Sequence, residues 1–466
     1  MYSKFINRQK EMATLEREYC SDMSSFVVIY GRRRTGKTTL IKEFIKDKNA
    51  LFFLGDTQTE YNQINSMKNT IAEYYNDNFI KNISIDSWDA LFEYLKSKLQ
   101  DNTVFVIDEF QYLVKGNKAF PSIFNKFWES VFKEKKIMVI ICGSLVGMMY
   151  ETALSYNSPL YGRRTAQINL KPIDFYYYNE FFENCSAEKL IQLYSITGGI
   201  PKYIEHFKNY SEDIFRGIED RVIDKDSLLY AEPKFLLQEE VTDTSTYFTL
   251  LKIISEGENK IGNIAGKMNL NTNNLSPFLS KLIELDILEK DVPVTEHNPE
   301  KSKKGLYFIK DNFMNFWFKF IFPKMGYIES GNIEVVKKQI NEGFELYVTT
   351  VFEKICRSLM YRINIPIEVN RYGRWWDKNS EIDIVGIGES DIIFGECKWS
   401  NKKVGINILE ELIKKSENVE VKGKNRNYIL FSKSGFTEEM LKSEEDRKDL
   451  YLMDLEKIES LLNEKI

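Results

Sequence analysis

Histidine is almost missing from this chain. His206 and His297 are the two in 466 residues, far apart in sequence, so neither imidazole catalysis nor zinc held by histidines is expected. Cysteine is sparse: Cys20, Cys142, Cys185, Cys356 and Cys397 are scattered, odd in number and form no C-x-x-C. That argues against a disulfide framework or a thiolate zinc site, and for a reducing compartment. There is no basic excess. Net charge is −5, so contact with nucleic acid would have to come from local patches. No apolar run approaches a membrane span, and Met1 leads into polar residues, not an apolar signal core. The expectation is a cytoplasmic protein with no membrane partner. Apolar and aromatic residues, by contrast, are plentiful at 43% and 14%, ample for packed interiors, and the length implies about three or four domains.

The strongest chemical signal is the run Gly31-Arg32-Arg33-Arg34-Thr35-Gly36-Lys37-Thr38-Thr39. An apolar strand, Phe26–Tyr30, precedes it, and the helical pattern Leu40–Ile45 follows. Strand, G-x-x-x-x-G-K-T and helix make a phosphate-binding loop in its required context; a chance match would lack the flanks. Gly31 and Gly36 permit the backbone angles that turn N–H groups inward around a triphosphate at the positive end of a helix. Lys37 would reach the β- and γ-phosphates, and Thr38 would place its hydroxyl on Mg²⁺. All nine residues, Gly31 to Thr39, form the predicted nucleotide-binding set.

The rest of the first part fits an open α/β sheet. Residues 1–25 carry an amphipathic helix with Phe5, Met12, Leu15 and Tyr19 on its inner face, read as a covering helix. Ala50–Leu54 reads as a second strand. Thr103–Ile107 is an apolar strand ending in Asp108-Glu109, the Walker B pattern, at the end of the strand where ligands bind. Asp108 would hold Mg²⁺ and Glu109 would take a proton from the attacking water; alternatively the acids cap the next helix. Lys136–Gly143 is a further strand, and Ser144 after it either senses the γ-phosphate or caps a helix. Arg163 and Arg164, after a tight turn, would supply positive charge to the γ-phosphate of a bound or neighbouring nucleotide, or else anchor the surface.

Residues 174–240 read as a helical, aromatic lid containing the turn Gly198-Gly199-Ile200-Pro201, with Pro201 suited to open a helix. Three short helices over 247–284, with Leu275, Phe278, Leu279, Leu282 and Ile283 inward, precede two strands, 287–290 and 306–309. This is the pattern of a winged helix. Its loop carries Lys301, Lys303 and Lys304, although the third helix offers Lys281 as its one basic side chain. DNA reading and a purely structural role both fit. Asp311–Phe320 is densely aromatic, at core-like spacing, and reads as a buried connector.

A second candidate site lies near the C-terminus. Glu381–Val385 and Ile392–Trp399 read as a hairpin centred near residues 389 and 390, which places Asp383 opposite Glu396. Glu396 and Lys398 then share a face. Two carboxylates and a lysine on otherwise apolar strands are costly to bury without a partner. A divalent Mg²⁺ or Mn²⁺ ion between the acids, with Lys398 positioning water and Glu353 adding an acid from a helix, would suit phosphodiester hydrolysis. The alternative is a structural ion pair. Arg426–Phe431 and Leu450–Met453 would continue the sheet.

Together these motifs resemble archaeal-type ATPases of the AAA/STAND grouping (signal-transduction ATPases with numerous domains) that carry a C-terminal PD-(D/E)xK nuclease-like domain. The residues that carry the likeness are Gly31–Thr38, Ile107-Asp108-Glu109, Cys142-Gly143-Ser144, Tyr161-Gly162-Arg163-Arg164, Gly198-Gly199-Ile200-Pro201 and Gly395-Glu396-Cys397-Lys398-Trp399. The resemblance implies an α/β multidomain chain. It comprises a P-loop NTPase parallel sheet over 1–175, a helical lid over 176–242, a winged helix and aromatic connector over 243–325, and a restriction-endonuclease-like domain over 326–466. It implies ATP and Mg²⁺ binding, slow regulated hydrolysis, and a hinge at Gly199 and Pro201 coupling nucleotide state to the winged helix. The nuclease-like motif is matched by Asp383, Glu396 and Lys398, with Glu353 as the helix acid. One departure is Ile382, which stands where that motif has proline. The expected function is an ATP-driven switch; the alternative is a DNA-binding or DNA-cleaving effector with ATP as its regulatory ligand. Candidate partners beyond ATP are DNA, a second copy of the chain or a protein regulator.

Overall fold

The computed structural model describes residues 5–421 and 423–464. The chain forms two compact units, Met1–Pro172 and Ile173–Ile466. Among the described residues no helix is long and apolar enough to cross a membrane.

The first unit is built on five strands: β1 (Ser25–Tyr30), β2 (Ala50–Leu54), β3 (Val104–Asp108), β4 (Met138–Gly143) and β5 (Ala166–Asn169). They pair in parallel in the order β2-β3-β4-β1-β5. Their unbroken apolar runs follow from burial on both faces. Alternate residues serve opposite cores. Val27, Ile29, Val106 and Ile140 pack with Leu15, Leu40 and Phe44; Phe26, Val28, Ile107 and Ile141 pack with Phe92, Phe110 and Phe124. Leu15 enters the core from the helix Gln9–Tyr19, and Phe5, Met12 and Tyr19 pack beside it, the inner face the spacing predicts. Because β3, β4 and β1 are adjacent, their carboxyl ends bring Asp108, Gly143 and the loop after Tyr30 side by side.

In the second unit, helices over 187–240 precede three more, Thr244–Ser255, Ile261–Lys267 and Thr272–Glu284. An antiparallel pair follows, β6 (Leu288–Asp291) and β7 (Leu306–Ile309). Leu275, Leu279 and Leu282 are buried and Phe278 meets Tyr247 edge to face, but Ile283 is exposed, contrary to the expected inward set. The buried stripe is spaced by four and three residues, which leaves Ile283 on its outer flank. The aromatic connector is interior: Phe313, Phe316, Trp317 and Phe318 are buried, and Trp317 Nε1 donates to the Tyr230 carbonyl at 2.8 Å.

Pro201 opens the helix Pro201–Phe207, and Gly198 turns the chain at φ +55°. Gly199 lies against Ile173, whose N–H donates to the Gly199 carbonyl at 2.7 Å. A β-carbon at Gly199 would run into the Ile173 backbone. Gly199→Ala is therefore expected to cost about 1–3 kcal/mol, read by urea unfolding; an unchanged midpoint would contradict this packing.

The C-terminal sheet has the order β12-β11-β10-β9-β8, from β8 (Arg371–Trp376), β9 (Glu381–Ile387), β10 (Asp391–Lys398), β11 (Asn425–Ser432) and β12 (Leu450–Asp454). β10, β11 and β12 are parallel, and β9 and β8 are antiparallel to their neighbours. The β9–β10 ladder pairs Ile387 with Ile392 and Ile384 with Gly395. Asp383 and Glu396 stand one residue beyond the last of these pairs. Helices Ile333–Leu359 and Ile406–Glu417 pack against these strands.

Candidate functional site

The loop after β1 is shaped by two glycines. Gly31 has φ +148°, and a β-carbon there would sit 2.5 Å from the Leu170 carbonyl oxygen. Gly36, at φ +93°, starts the helix Lys37–Phe44. Arg34 also takes a positive φ, +69°. Within the loop, Thr35 Oγ1 donates to the Arg32 carbonyl at 2.9 Å. Lys37 is buried, and its ammonium donates to the carbonyls of Gly31 and Arg32 at 2.8 and 2.9 Å. Burial pushes its pKa down. Arg33 reaches the Tyr112 hydroxyl at 3.0 Å, and Thr39 lies exposed on the helix.

Arg8 pins this loop from outside. Its guanidinium donates to the Thr35 carbonyl at 3.0 Å and to Lys171 at 2.8 Å, and it pairs with Glu11 at 3.3 Å. Sequence reading gave the N-terminal helix only a covering role. No local pattern marks Arg8 for this contact, because the two carbonyls it holds lie 27 and 163 residues away.

Thr38 Oγ1 donates to Asp108 Oδ2 at 2.7 Å, joining the phosphate-loop helix to the end of β3. Asp108 Oδ1 accepts the Glu109 N–H at 2.9 Å. Beside them the Cys142 thiol is raised well above its ordinary value by burial and then by Asp108. Glu109 stands at φ +53° at the head of the helix Phe110–Gly116 without capping it through its side chain. Its carboxylate instead accepts from Ser144 Oγ at 2.8 Å and from Gln111 Nε2. Ser144 therefore joins Glu109 and is no helix cap; the helix at Val146 has Leu145 as its N-cap. Gln111 escaped sequence analysis, although Glu-x-Gln at the head of a helix was there to be read.

Arg163 and Arg164 lie elsewhere. Arg163 pairs with Glu129 at 3.0 Å and donates to Asn125 at 3.1 Å. Arg164 stacks over Tyr161 and donates to the Leu154 carbonyl at 3.4 Å. Among the described residues no hydrogen bond or ion pair joins either arginine to Lys37, Asp108 or Glu109.

The second unit holds a cavity of about 670 Å³ lined by Glu353, Asp383, Glu396, Lys398 and Lys415 among others. Asp383 Oδ2 accepts the Cys397 N–H at 2.9 Å. Lys398 Nζ donates to Glu396 Oε1 at 2.7 Å, the ion pair that was the structural alternative. Lys415, on the helix Ile406–Glu417, also reaches both Glu396 oxygens, at 3.3 and 3.4 Å. Lys415 carries no local signal in the sequence, because only the packing of this helix on the strands brings it near. Next to Lys398, Trp399 Nε1 donates to Glu345 at 2.8 Å. Among the described residues no group of three or more His, Cys, Asp or Glu side chains is arranged to hold a metal ion.

Burial, and then the charge of Asp383, raises the Glu353 carboxyl to about 8. Burial and Glu396 raise Asp383 to about 6. A carboxyl whose folded pKa is raised stabilises the fold fully below its unfolded value, and that contribution is lost as pH rises through the folded value. For Glu353 the window runs from 4.5 to about 8. The melting temperature of the second unit should fall across that window, by roughly 2–4 °C for each kcal/mol lost. Glu353→Gln should flatten the slope. Scanning calorimetry at both ends of the window checks this, and an equal slope in the two proteins would contradict it.

Residues 5–207 match the model of an ATPase domain predominantly from Archaea. Residues 317–417 match a family described as "Archaea bacterial proteins of unknown function". An uncharacterised protein of Methanocaldococcus jannaschii is 34% identical over 408 residues, covering 86% of this chain and 88% of its own. An uncharacterised ATP-binding protein of the same organism is 46% identical over 44 residues, 9% of this chain and 75% of its own. A Walker-type ATPase of Pyrococcus abyssi shares the fold, with TM-score 0.50 at 19% identity, over 68% of this chain and 96% of that one.

Proposed function

We propose that this chain, which belongs to the family of P-loop ATPases found predominantly in Archaea, is a molecular switch driven by ATP hydrolysis in its first unit. The observation that carries the reading is the hydrogen bond from Thr38 to Asp108 at 2.7 Å. It sets a hydroxyl and a carboxylate together beside the phosphate loop, hard oxygen donors suited to Mg²⁺. Mg²⁺ bound there would neutralise charge on the phosphates. Lys37 exchanges the Gly31 and Arg32 carbonyls for the β- and γ-phosphates, and the loop N–H groups hold the remaining oxygens. Glu109 takes a proton from the attacking water. The water oxygen bonds to the γ-phosphorus, the bond from that phosphorus to the β–γ bridging oxygen breaks, and ADP departs with the electron pair. Phosphate release by the purified chain, with and without Mg²⁺, tests this; no release under either condition would contradict hydrolysis.

The helices over 176–242 serve as a lid, and the three helices with β6 and β7 as a winged helix that responds to nucleotide through the turn at Gly199 and Pro201. Arg163 and Arg164, neither bonded to Lys37, Asp108 or Glu109, would act on the γ-phosphate of the bound nucleotide or of one held by a second copy. The cytoplasm is the proposed location.

The C-terminal cavity favours a second reading, a DNA-binding or DNA-cleaving effector in which ATP is the regulatory ligand. Its support is the ladder register that brings Asp383, Glu396 and Lys398 to one cavity beside Glu353. Carboxylate oxygens suit Mg²⁺ or Mn²⁺, but as arranged Glu396 is engaged by Lys398 and Lys415 and the acids form no metal cage. DNA incubated with the chain, either ion and ATP should be nicked, and Lys398→Ala should reduce nicking by about 10²-fold or more. No cleavage in any nucleotide state would count against this reading.

A further inference from the structure

We infer that Gln111 is a positioning residue for ATP hydrolysis, holding the Glu109 carboxylate at the end of β3 in the direction from which it takes the proton. The inference rests on the ATPase reading above and adds a residue to it.

Gln111 sits in the first turn of the helix Phe110–Gly116 and is fully buried. Glu109, two residues earlier, is bent out of the helix by its φ of +53°. A left-handed conformation in a residue with a β-carbon costs about 1–2 kcal/mol, so side-chain contacts must hold it. There are two. Ser144 Oγ donates at 2.8 Å and Gln111 Nε2 donates to the same oxygen, Glu109 Oε2. Gln111 Nε2 also lies 3.2 Å from Ser144 Oγ, which closes a three-membered network between the ends of β3 and β4.

The amide orientation follows from chemistry. A carboxylate only accepts, so the nitrogen of Gln111 faces Glu109 and its oxygen faces away. That oxygen, Oε1, is buried and has no hydrogen-bond partner. It lies against Gly143, where a β-carbon would come within 2.6 Å of it. An unsatisfied buried acceptor costs about 1–3 kcal/mol. A glutamine kept for packing alone would be better replaced by methionine of similar shape. Its polar group is explained by the bond it gives Glu109. Gly143 leaves the room that the amide fills.

Gln111→Met keeps the volume and removes the donor. ATP turnover and ATP affinity should be measured for wild type, Gln111→Met, Glu109→Gln and the double variant. Gln111→Met should bind ATP within about twofold of wild type while kcat falls about tenfold or more. In the Glu109→Gln background the same change should lower kcat no further, because Gln111 acts through Glu109. A packing role would lower the melting temperature and leave kcat unchanged, or lower kcat equally in both backgrounds; either result overturns the proposal. Should Gln111→Met not fold, Gln111→Glu, which keeps the shape and sets a carboxylate against Glu109, is read in the same way. Turnover by wild type with no change in either Gln111 variant overturns this inference alone. No turnover by wild type overturns the ATPase reading and this inference with it.

Discussion

Replacing Lys37 by Ala should abolish ATP turnover. The Lys37 ammonium is buried against its own loop, with the Gly31 and Arg32 carbonyls as hydrogen-bond partners at 2.8 and 2.9 Å. It is thus presented inside the loop, where burial holds its pKa down although Glu109 and Asp108 pull the other way, so its charge is costly to keep there without a further anion. A polyphosphate supplies that anion. Losing a charge-assisted bond of about 1.5–3 kcal/mol should weaken ATP binding about 10- to 150-fold. Turnover should fall further, by about 10²–10³ or more, because the transferring phosphoryl group leans on the same charge. Arg in place of Lys37 should not restore it. A planar guanidinium cannot fill the space of a compact ammonium between those two carbonyls. Phosphate release and ATP titration check both effects; turnover within about tenfold of wild type would contradict the role given to Lys37.

Glu109→Gln should separate binding from chemistry. Glutamine keeps the size of the side chain and an oxygen to accept from Ser144 and Gln111, so the bend at Glu109 and the Thr38–Asp108 bond should persist. It cannot take a proton. The loss expected of a general base is about 10²–10⁴ in kcat, with ATP affinity unchanged. The result to look for is a protein that binds ATP, does not release phosphate, and retains the nucleotide through gel filtration. Equal turnover in wild type and variant would show that the water's proton goes elsewhere.

Much of the first site could be read from the chain because its chemistry is contiguous. The phosphate loop is one uninterrupted run between a strand and a helix, and Asp108-Glu109 ends a strand whose burial is written in its apolar run. Asp383 and Glu396 were legible for a different reason: the short turn between β9 and β10 sets the register arithmetically. What escaped was set by packing at long range. Arg8 and Lys415 owe their places to where a helix lands on a sheet; Gln111 is the exception, a local neighbour whose reach to Glu109 follows from the bend there. For Ser144, the choice between helix cap and γ-phosphate sensor left out the bond it makes to Glu109, which depends on the bend of Glu109 at φ +53°. The strand β8 was also missed. Its Gly373 and a register shift interrupt the alternation that marks a strand. Ile283 was placed inward by counting apolar residues, where the narrower stripe of Leu275, Leu279 and Leu282 decides the face.

Calorimetric titration of the folded chain with ATP in the presence of Mg²⁺ probes the phosphate loop itself. A single saturable site that weakens when Mg²⁺ is omitted, and that Lys37→Ala diminishes, is the predicted result. Absence of nucleotide uptake by folded wild-type protein would contradict the proposed role of the loop between Gly31 and Thr39 and every step built on it.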